Sequence, residues 1–308
     1  MSWQRVVVSW GLRRYFRPYT ELSDINVSRV RAWVDKRLWT PKVPAGFRLR
    51  ERYGSECAPL VGEWLEPEPP APAPAPDRGR PMILYLHGGG YSSCSPHTHR
   101  TITFALAARA RAALFALDYR LAPEHPFPAA LHDALAAYRA LLAWYAPEAI
   151  VIAGDSAGGG LALATLVALR EAGEPLPAGA VLFSPWTDLA ASGASIVSNH
   201  GQDPMFAGPV ISRAAKLYLG DTSPAHPLAS PAYADLHGLP PLFIQVGSTE
   251  VLLDDSVRVA HNARRVGVST QFRIWPDMPH VWQIYAPFLP EARRALREAA
   301  QFVTHVAA

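Results

Sequence analysis

From Pro81 onward, short apolar runs alternate regularly with helix-like stretches, and this alternation constrains the fold more than any other feature of the chain. The runs at 82–87, 113–119, 149–154, 179–185, 242–247 and 270–275 read as strands. Between or after them, 97–111, 127–144, 156–172, 254–266 and 290–305 read as helices. A strand that is apolar throughout is covered on both faces. The pattern therefore predicts an α/β architecture, a mostly parallel central sheet flanked by helices. Residues 47–53 and 57–65 read as two further short strands. With 49% hydrophobic residues among 308, the chain can bury a large core, and disorder is excluded for most of it.

Three segments depart from the rhythm. Residues 188–225, which include SGASIVSNHGQDPMF and ISRAAKLYLG, look like an insertion above the sheet. Residues 66–81, EPEPPAPAPAPDRGRP, favour extended polyproline II and read as a solvent-exposed loop. Residues 1–50 carry 11 Lys/Arg against 3 Asp/Glu, a local +8. There Trp3, Val6, Val7 and Trp10 recur with helical spacing. A second helix is expected from the capping pair Ser23-Asp24, with Val27, Val30, Val34 and Leu38 on one face. A membrane-surface helix is one reading of the basic segment. Two successive apolar faces need a surface to cover them, so the expectation is a helical arm packed on the body with its arginines in water.

Charge, cysteines and hydropathy remove several classes. Lys+Arg 29 against Asp+Glu 26 gives +3, too small a basic excess for a dedicated nucleic-acid binder. Cys57 and Cys94 make no disulfide framework and match no zinc spacing. No apolar run reaches the roughly 18 residues that span a bilayer, so stable membrane insertion is not expected. The opening MSWQRVVVSWGLRRYFRP breaks its apolar stretch at Ser9 and continues into arginines, unlike a signal peptide. A cytoplasmic protein is expected.

The chemistry centres on Gly154-Asp155-Ser156-Ala157-Gly158, a G-x-S-x-G directly after a strand and opening a helix. In that context the motif forms a sharp turn that lifts the serine hydroxyl above the sheet, and small residues relieve the crowding around it. The helix start beneath it favours developing negative charge. No nucleotide-binding glycine motif follows a strand here. His87-Gly88-Gly89-Gly90-Tyr91 ends the 82–87 strand, and its uncovered N–H groups together with that of Ala157 suit an oxyanion hole. His87 reads as a residue that orients this loop. A serine nucleophile needs a base. Of the 11 histidines, His280 in Asp277-Met278-Pro279-His280 follows the last strand, on the edge where the serine stands. His97 and His99 share a short segment without supporting ligands and read as surface residues rather than a metal site. The loop after 242–247 offers Glu250, Asp254 and Asp255 as the acid that orients the base. Glu250 is nearest the strand end, and the aspartates suit a helix start.

HGGGY at 87–91, DYRLAPEHPFPAALHD at 118–133, GDSAGG at 154–159, SPWTDL at 184–189 and MPHVW at 278–282 together resemble the bacterial hormone-sensitive-lipase-like carboxylesterases of the α/β-hydrolase superfamily. The resemblance runs from about residue 81 to 308. It implies Ser156 as nucleophile, His280 as base, and Gly88, Gly89 and Ala157 as oxyanion donors. It further implies N-terminal cap helices at 1–50, a cap insertion at 188–225, and a catalytic domain formed by 51–187 and 226–308. One departure is plain. The family's Asp-Pro-Leu-x-Asp-Glu stretch is here Glu250-Val251-Leu252-Leu253-Asp254-Asp255, so Glu250 takes the acid's place, with Asp254 next in line.

The expected reaction is hydrolysis of small, short- to medium-chain carboxylic esters through an acyl-enzyme, with no metal or organic cofactor. Tyr91, Trp186, Met205 and Phe206 are candidates to line the acyl pocket. An arylacetamide-type amidase or deacetylase would use the same triad. A non-catalytic receptor on this fold would be expected to lack the nucleophile or base, and both candidates are present. The last strand, 270–275, leaves a sheet edge to be covered or paired, and a homodimer through it is expected.

Overall fold

The computed structural model describes residues 2–36, 39–68 and 80–307. Leu38 and most of the Ala-Pro stretch lie outside the described residues. The described chain opens with helices α1 (Trp3–Tyr15), α2 (Arg17–Thr20) and α3 (Val27–Lys36), followed by strands β1 (Phe47–Arg52) and β2 (Gly62–Pro67). The alternation then runs β3 (Met82–Leu86), α4 (Arg100–Ala110), β4 (Ala113–Leu117), α5 (Ala129–Leu141), β5 (Ile150–Asp155), α6 (Ala157–Glu171) and β6 (Gly179–Phe183). After α7 (Ser195–Ser198) and α8 (Pro209–Leu219) come β7 (Leu242–Gly247), α9 (Leu253–Arg265), β8 (Thr270–Trp275) and α10 (Pro290–Val306).

The strands form one sheet of 8 in the order β1-β2-β4-β3-β5-β6-β7-β8. Only β2 runs against the others, pairing antiparallel with β1 and β4. Alternate residues of β3 explain why its sequence carries no polar alternation. Met82, Leu84 and Leu86 join the core beneath α5, α6 and α9, while Ile83 and Tyr85 join the core beneath α4 and α10. The second strand begins at Gly62 rather than 57, because residues 55–57 form a 3-10 turn and Pro59 has no N–H for a ladder. β1 starts at Phe47, so the last residues of the 1–50 segment already belong to the sheet.

Two expectations about the first helices need correction. Helix α3 is capped by Asn26, whose Oδ1 accepts the Arg29 N–H at 2.9 Å, and not by Ser23-Asp24. Helix α1 is turned inside out relative to its expected orientation. Trp3, Val6, Val7 and Trp10 are exposed, and arginines hold this segment to the body instead. Arg5 pairs with Asp277 at 2.9 Å. Arg13 donates to the carbonyls of Gly201 and Gln202, and Arg17 donates to those of His200, Asp203 and Phe206. Thr20 Oγ1 accepts the Ala207 N–H at 3.0 Å, and Arg213 donates to the Thr20 carbonyl at 2.7 Å. The first helices and the 188–225 segment are thereby joined, far apart in sequence. Among the described residues, no helix is long and apolar enough to cross a membrane.

Candidate active site

At the end of β5 the backbone turns into α6 through Ser156, which has φ 52° and ψ −122°. This conformation is unfavourable for a residue with a side chain, and the surroundings enforce it. The Ser156 N–H donates to the Phe183 carbonyl at 2.9 Å, and its own carbonyl accepts from Gly160 and Trp186. A Cβ on Gly158 would collide with the Leu86 and His87 carbonyl oxygens, and one on Gly154 with the Gly158 carbonyl. Glycine at both positions lets β5, α6 and the end of β3 close together beneath the serine.

Asp155 links this turn to the glycine loop. Its buried carboxylate accepts from Tyr85 Oη at 2.6 Å and from the Gly88 N–H at 3.1 Å, with His99 Nε2 at 3.2 Å on the other oxygen. Burial opposes its ionisation, but His99 and the hydrogen bonds outweigh it and hold its pKa below the usual value. His99 is therefore a buried partner of Asp155 and not the surface residue expected. The Gly88 N–H is engaged, which removes Gly88 from the expected oxyanion set. The N–H groups of Gly89, Gly90 and Ala157 have no partner among the described residues. His87 stacks on Tyr119, with centroids 4.3 Å apart, and Tyr119 Oη donates to the His87 carbonyl at 2.6 Å.

The loop after β8 carries His280, buried, with its Nδ1 2.7 Å from Glu250 Oε2. Nε2 of the same ring is buried without a hydrogen-bond partner. Asp254 instead accepts the Ser195 N–H at 2.9 Å. Asp255 is buried and accepts the N–H groups of Thr187 and Asp188 at 2.7 and 2.8 Å, so it anchors the 184–189 loop besides opening α9. Burial lowers the His280 pKa, but the Glu250 carboxylate raises it more, with Asp203 and Asp155 adding in the same direction, and the net shift is upward.

Several residues that fix this pair were not among the expected site residues, although Ser184 opens the SPWTDL segment. Ser184 Oγ donates to Glu250 Oε1 at 2.7 Å, and the Gly247 N–H donates to the same oxygen at 2.5 Å. Asn199 Nδ2 donates to the carbonyls of Glu250 and Ser248, and Asp203 accepts the Val251 N–H at 2.9 Å. Thr249 Oγ1 donates to the Met278 carbonyl at 2.9 Å, joining the Glu250 loop to the His280 loop. Val281 follows at φ 48°, strained for a β-branched side chain. These partners are short polar side chains scattered through loops, and only the folded chain brings them together.

Of the residues expected to line an acyl pocket, Met205 and Phe206 are half-buried, and the Phe206 ring meets the His280 ring edge-on at 5.0 Å. Tyr91 and Trp186 are packed instead: Tyr91 lies parallel to Tyr218 at 3.7 Å and tilted against Trp186 at 6.0 Å. Glu51, Glu63 and His97 come together closely enough to suggest a cation site, but Arg100 already bonds both carboxylates.

A serine on a strained strand–helix turn, a glycine loop tied to that turn through Asp155, and a histidine–carboxylate pair on the loops after β7 and β8 suit the α/β-hydrolase class. A model of the alpha/beta hydrolase fold matches residues 83–284. An acetyl-hydrolase of Streptomyces hygroscopicus is 53% identical over 195 residues, which are 63% of this chain and 65% of that protein. The chain thus spans just under two thirds of that relative's length. A crystal structure of an esterase/lipase from an uncultured bacterium is 39% identical with a TM-score of 0.89, covering 100% of this chain and 99% of that one. A crystal structure of an esterase from the bacterial hormone-sensitive lipase family is also 39% identical, with a TM-score of 0.87 and the same coverage. The chain belongs to the hormone-sensitive-lipase-like family of α/β hydrolases.

The Ser184–Glu250 bond carries a testable consequence. A hydrogen bond to a buried carboxylate is worth about 1.5–3 kcal/mol. Ser184→Ala should lower kcat on a soluble ester by about ten- to a hundredfold with KM little changed, if that bond holds Glu250 in register. Steady-state kinetics of the folded variant measures it.

Proposed function

We propose that the chain is a serine carboxylesterase acting on small carboxylic esters through an acyl-enzyme. The observation that carries this reading is the buried 2.7 Å contact between Glu250 and His280, which leaves Nε2 of the imidazole unpaired at the end of the sheet where Ser156 stands. Ser156 Oγ bonds to the ester carbonyl carbon while His280 Nε2 takes its proton. The oxyanion is held by the N–H groups of Gly89, Gly90 and Ala157, a set revised from the expected Gly88, Gly89 and Ala157. The carbon–oxygen bond to the alcohol breaks as His280 returns the proton to the leaving oxygen. Water then attacks the acyl carbon, passes a proton to Nε2, and that proton goes back to Ser156 as the acid departs. Glu250 fixes the tautomer with Nδ1 protonated and stabilises the imidazolium that forms twice in the cycle.

The names of the compared relatives, acetyl-hydrolase and esterase, favour ester over amide substrates, and the amidase reading is not carried further. The tight packing of Tyr91, Trp186 and Tyr218 supports a small acyl pocket bordered by Met205 and Phe206. We assign residues 188–225 and the helices before β1 to a cap, and the remainder to the catalytic domain. The bonds from Arg13, Arg17 and Thr20 to residues 200–207 support that division. Two cysteines, Cys57 and Cys94, that are not joined in a disulfide suit a cytoplasmic setting.

Among p-nitrophenyl esters, turnover should be fastest for acyl groups of about two to eight carbons, as pocket-size limits suggest, and faster for butyrate than for palmitate. β8 ends the sheet with an open edge and an exposed Ile274, and pairing two such edges gives a homodimer. Light scattering at micromolar concentration should return twice the chain mass.

The acid residue and the pH profile test the triad together. Because the imidazole accepts a proton only when neutral, and its pKa is raised above the ordinary value of about 6.5, the acid limb of kcat/KM should lie above that pH. Activity is then lost as pH falls through the raised value. Glu250→Gln removes the main raising charge while burial still lowers the pKa. The limb should move toward acid, and kcat should fall by roughly a hundred- to ten-thousandfold. Asp254→Asn should leave both near wild type. A crippled Asp254→Asn enzyme beside a normal Glu250→Gln enzyme would reverse the assignment.

A further inference from the structure

The outward face of α1 is apolar, and its inward face is held by arginine. Trp3, Val6, Val7 and Trp10 are 65%, 58%, 47% and 60% exposed, whereas Leu12 on the opposite side is buried. At 100° per residue these four side chains fall on one stripe, with exposed Arg14 at its end. Phe288, 43% exposed, extends the stripe by packing its ring edge-on against Trp3 at 5.6 Å. A large apolar patch left uncovered marks a place where something docks.

The surrounding charge points to what docks there. Helices α1 and α2 contain Arg5, Arg13, Arg14 and Arg17 and no acidic residue. Arg5 is paired with Asp277, and Arg17 also meets Glu21. Arg13 bonds only to the neutral carbonyls of Gly201 and Gln202, so its charge is not cancelled. Arg14 is exposed and lies over the Tyr15 ring at 5.5 Å. An apolar stripe with tryptophans along it and uncancelled cations beside it matches the layered chemistry of a lipid surface, with acyl chains beneath anionic headgroups. A second copy of this chain fits less well, because a two-fold contact through the stripe would set these cations against their own equivalents.

We propose that α1 docks the protein on anionic lipid surfaces, lying in the interface with Trp3, Val6, Val7 and Trp10 among the acyl chains, Arg14 at the headgroups, and the uncancelled charge of Arg13 adding to the attraction. The helix does not span the bilayer: its 13 residues reach about 20 Å, short of the hydrocarbon core. Docking here brings the surface close to the candidate site. Arg13 and Arg17 hold the 200–206 segment, and Phe16, next along the chain, packs on Phe206 against His280.

Sedimentation of the full chain with vesicles of phosphatidylcholine, with and without phosphatidylglycerol, tests the proposal. Wild type should co-sediment with the phosphatidylglycerol vesicles, much less with phosphatidylcholine alone, and less as salt is raised. Trp3→Glu combined with Trp10→Glu should weaken that binding at least about tenfold while hydrolysis of a soluble short-chain ester is unchanged. Val6→Ser combined with Val7→Ser supplies a second pair should the first lose its fold. Ser156→Ala should bind vesicles like wild type, which separates docking from catalysis. The proposal fails if the full chain stays in solution with phosphatidylglycerol vesicles at low salt, or if a folded stripe variant binds as well as wild type. It fails also if the stripe variants change only the mass in solution, which would give the face to a second copy.

Discussion

One buried carboxylate, that of Asp155, holds the serine turn and the glycine loop in a fixed relation. It sits at the last position of β5, immediately before the strained serine, yet its partners lie on β3, on the glycine loop and on His99 just before α4. A buried charge without partners is costly, so the carboxylate acts as a constraint: the native arrangement is the one that brings Tyr85, His99 and the Gly88 N–H to it together. By binding Gly88, Asp155 sets the direction of the loop and leaves the next two N–H groups unengaged. The collision a Cβ on Gly158 would make with the Leu86 and His87 carbonyls shows how closely the turn and loop approach.

The replacement of aspartate by glutamate at 250 has a structural counterpart. A longer side chain has more torsions to fix, and the surrounding bonds fix them from both ends. Ser184 and the Gly247 N–H hold one carboxylate oxygen, His280 meets the other, and Asn199 and Asp203 hold the backbone around it. All of these groups are buried, where hydrogen bonds to a charge are strongest and an unmet charge costs most. The carboxylate is thereby held at both oxygens, and its proximity to His280 outweighs the effect of burial on that ring.

The sheet was legible because its strands are apolar on both faces and their ends are marked by Gly, Pro or the start of a helix. The runs at 242–247 and 270–275 coincide with β7 and β8. The region around Pro59 reads as strand in the sequence, but its first residues belong to a turn and only those from Gly62 to β2. Within the site, Ser156 and His280 stood out by motif and by position after a strand, and Glu250 by its closeness to the strand end. Gly88 could not be told from its neighbours, since three adjacent glycines are equivalent in sequence and only the approach of Asp155 distinguishes them. His99 reads as a surface residue in the sequence because its partner, Asp155, is far along the chain. Asn199 and Asp203 are single polar residues in loops, with no periodicity to betray burial, and Ser184 opens the SPWTDL segment without anything in it that points to Glu250.

Helix α1 shows the limit of amphipathic pattern reading most plainly. The spacing of Trp3, Val6, Val7 and Trp10 locates the helix correctly but says nothing about which side faces the body. Burying that stripe would favour docking by the hydrophobic effect alone, so something specific must hold the opposite side. The arginines supply it through direction. Their guanidinium groups reach carbonyls of the 200–206 segment, where the chain turns and leaves C=O groups unused by any ladder, and planar donors can satisfy several at once. Each such bond, largely solvent-exposed, adds little by itself. Together with Asp277 and Thr20 they fix the orientation of α1 without burying its apolar face. The uncovered stripe thus follows from how the joint is built: polar bonds made at the backbone leave the hydrophobic side of the helix free.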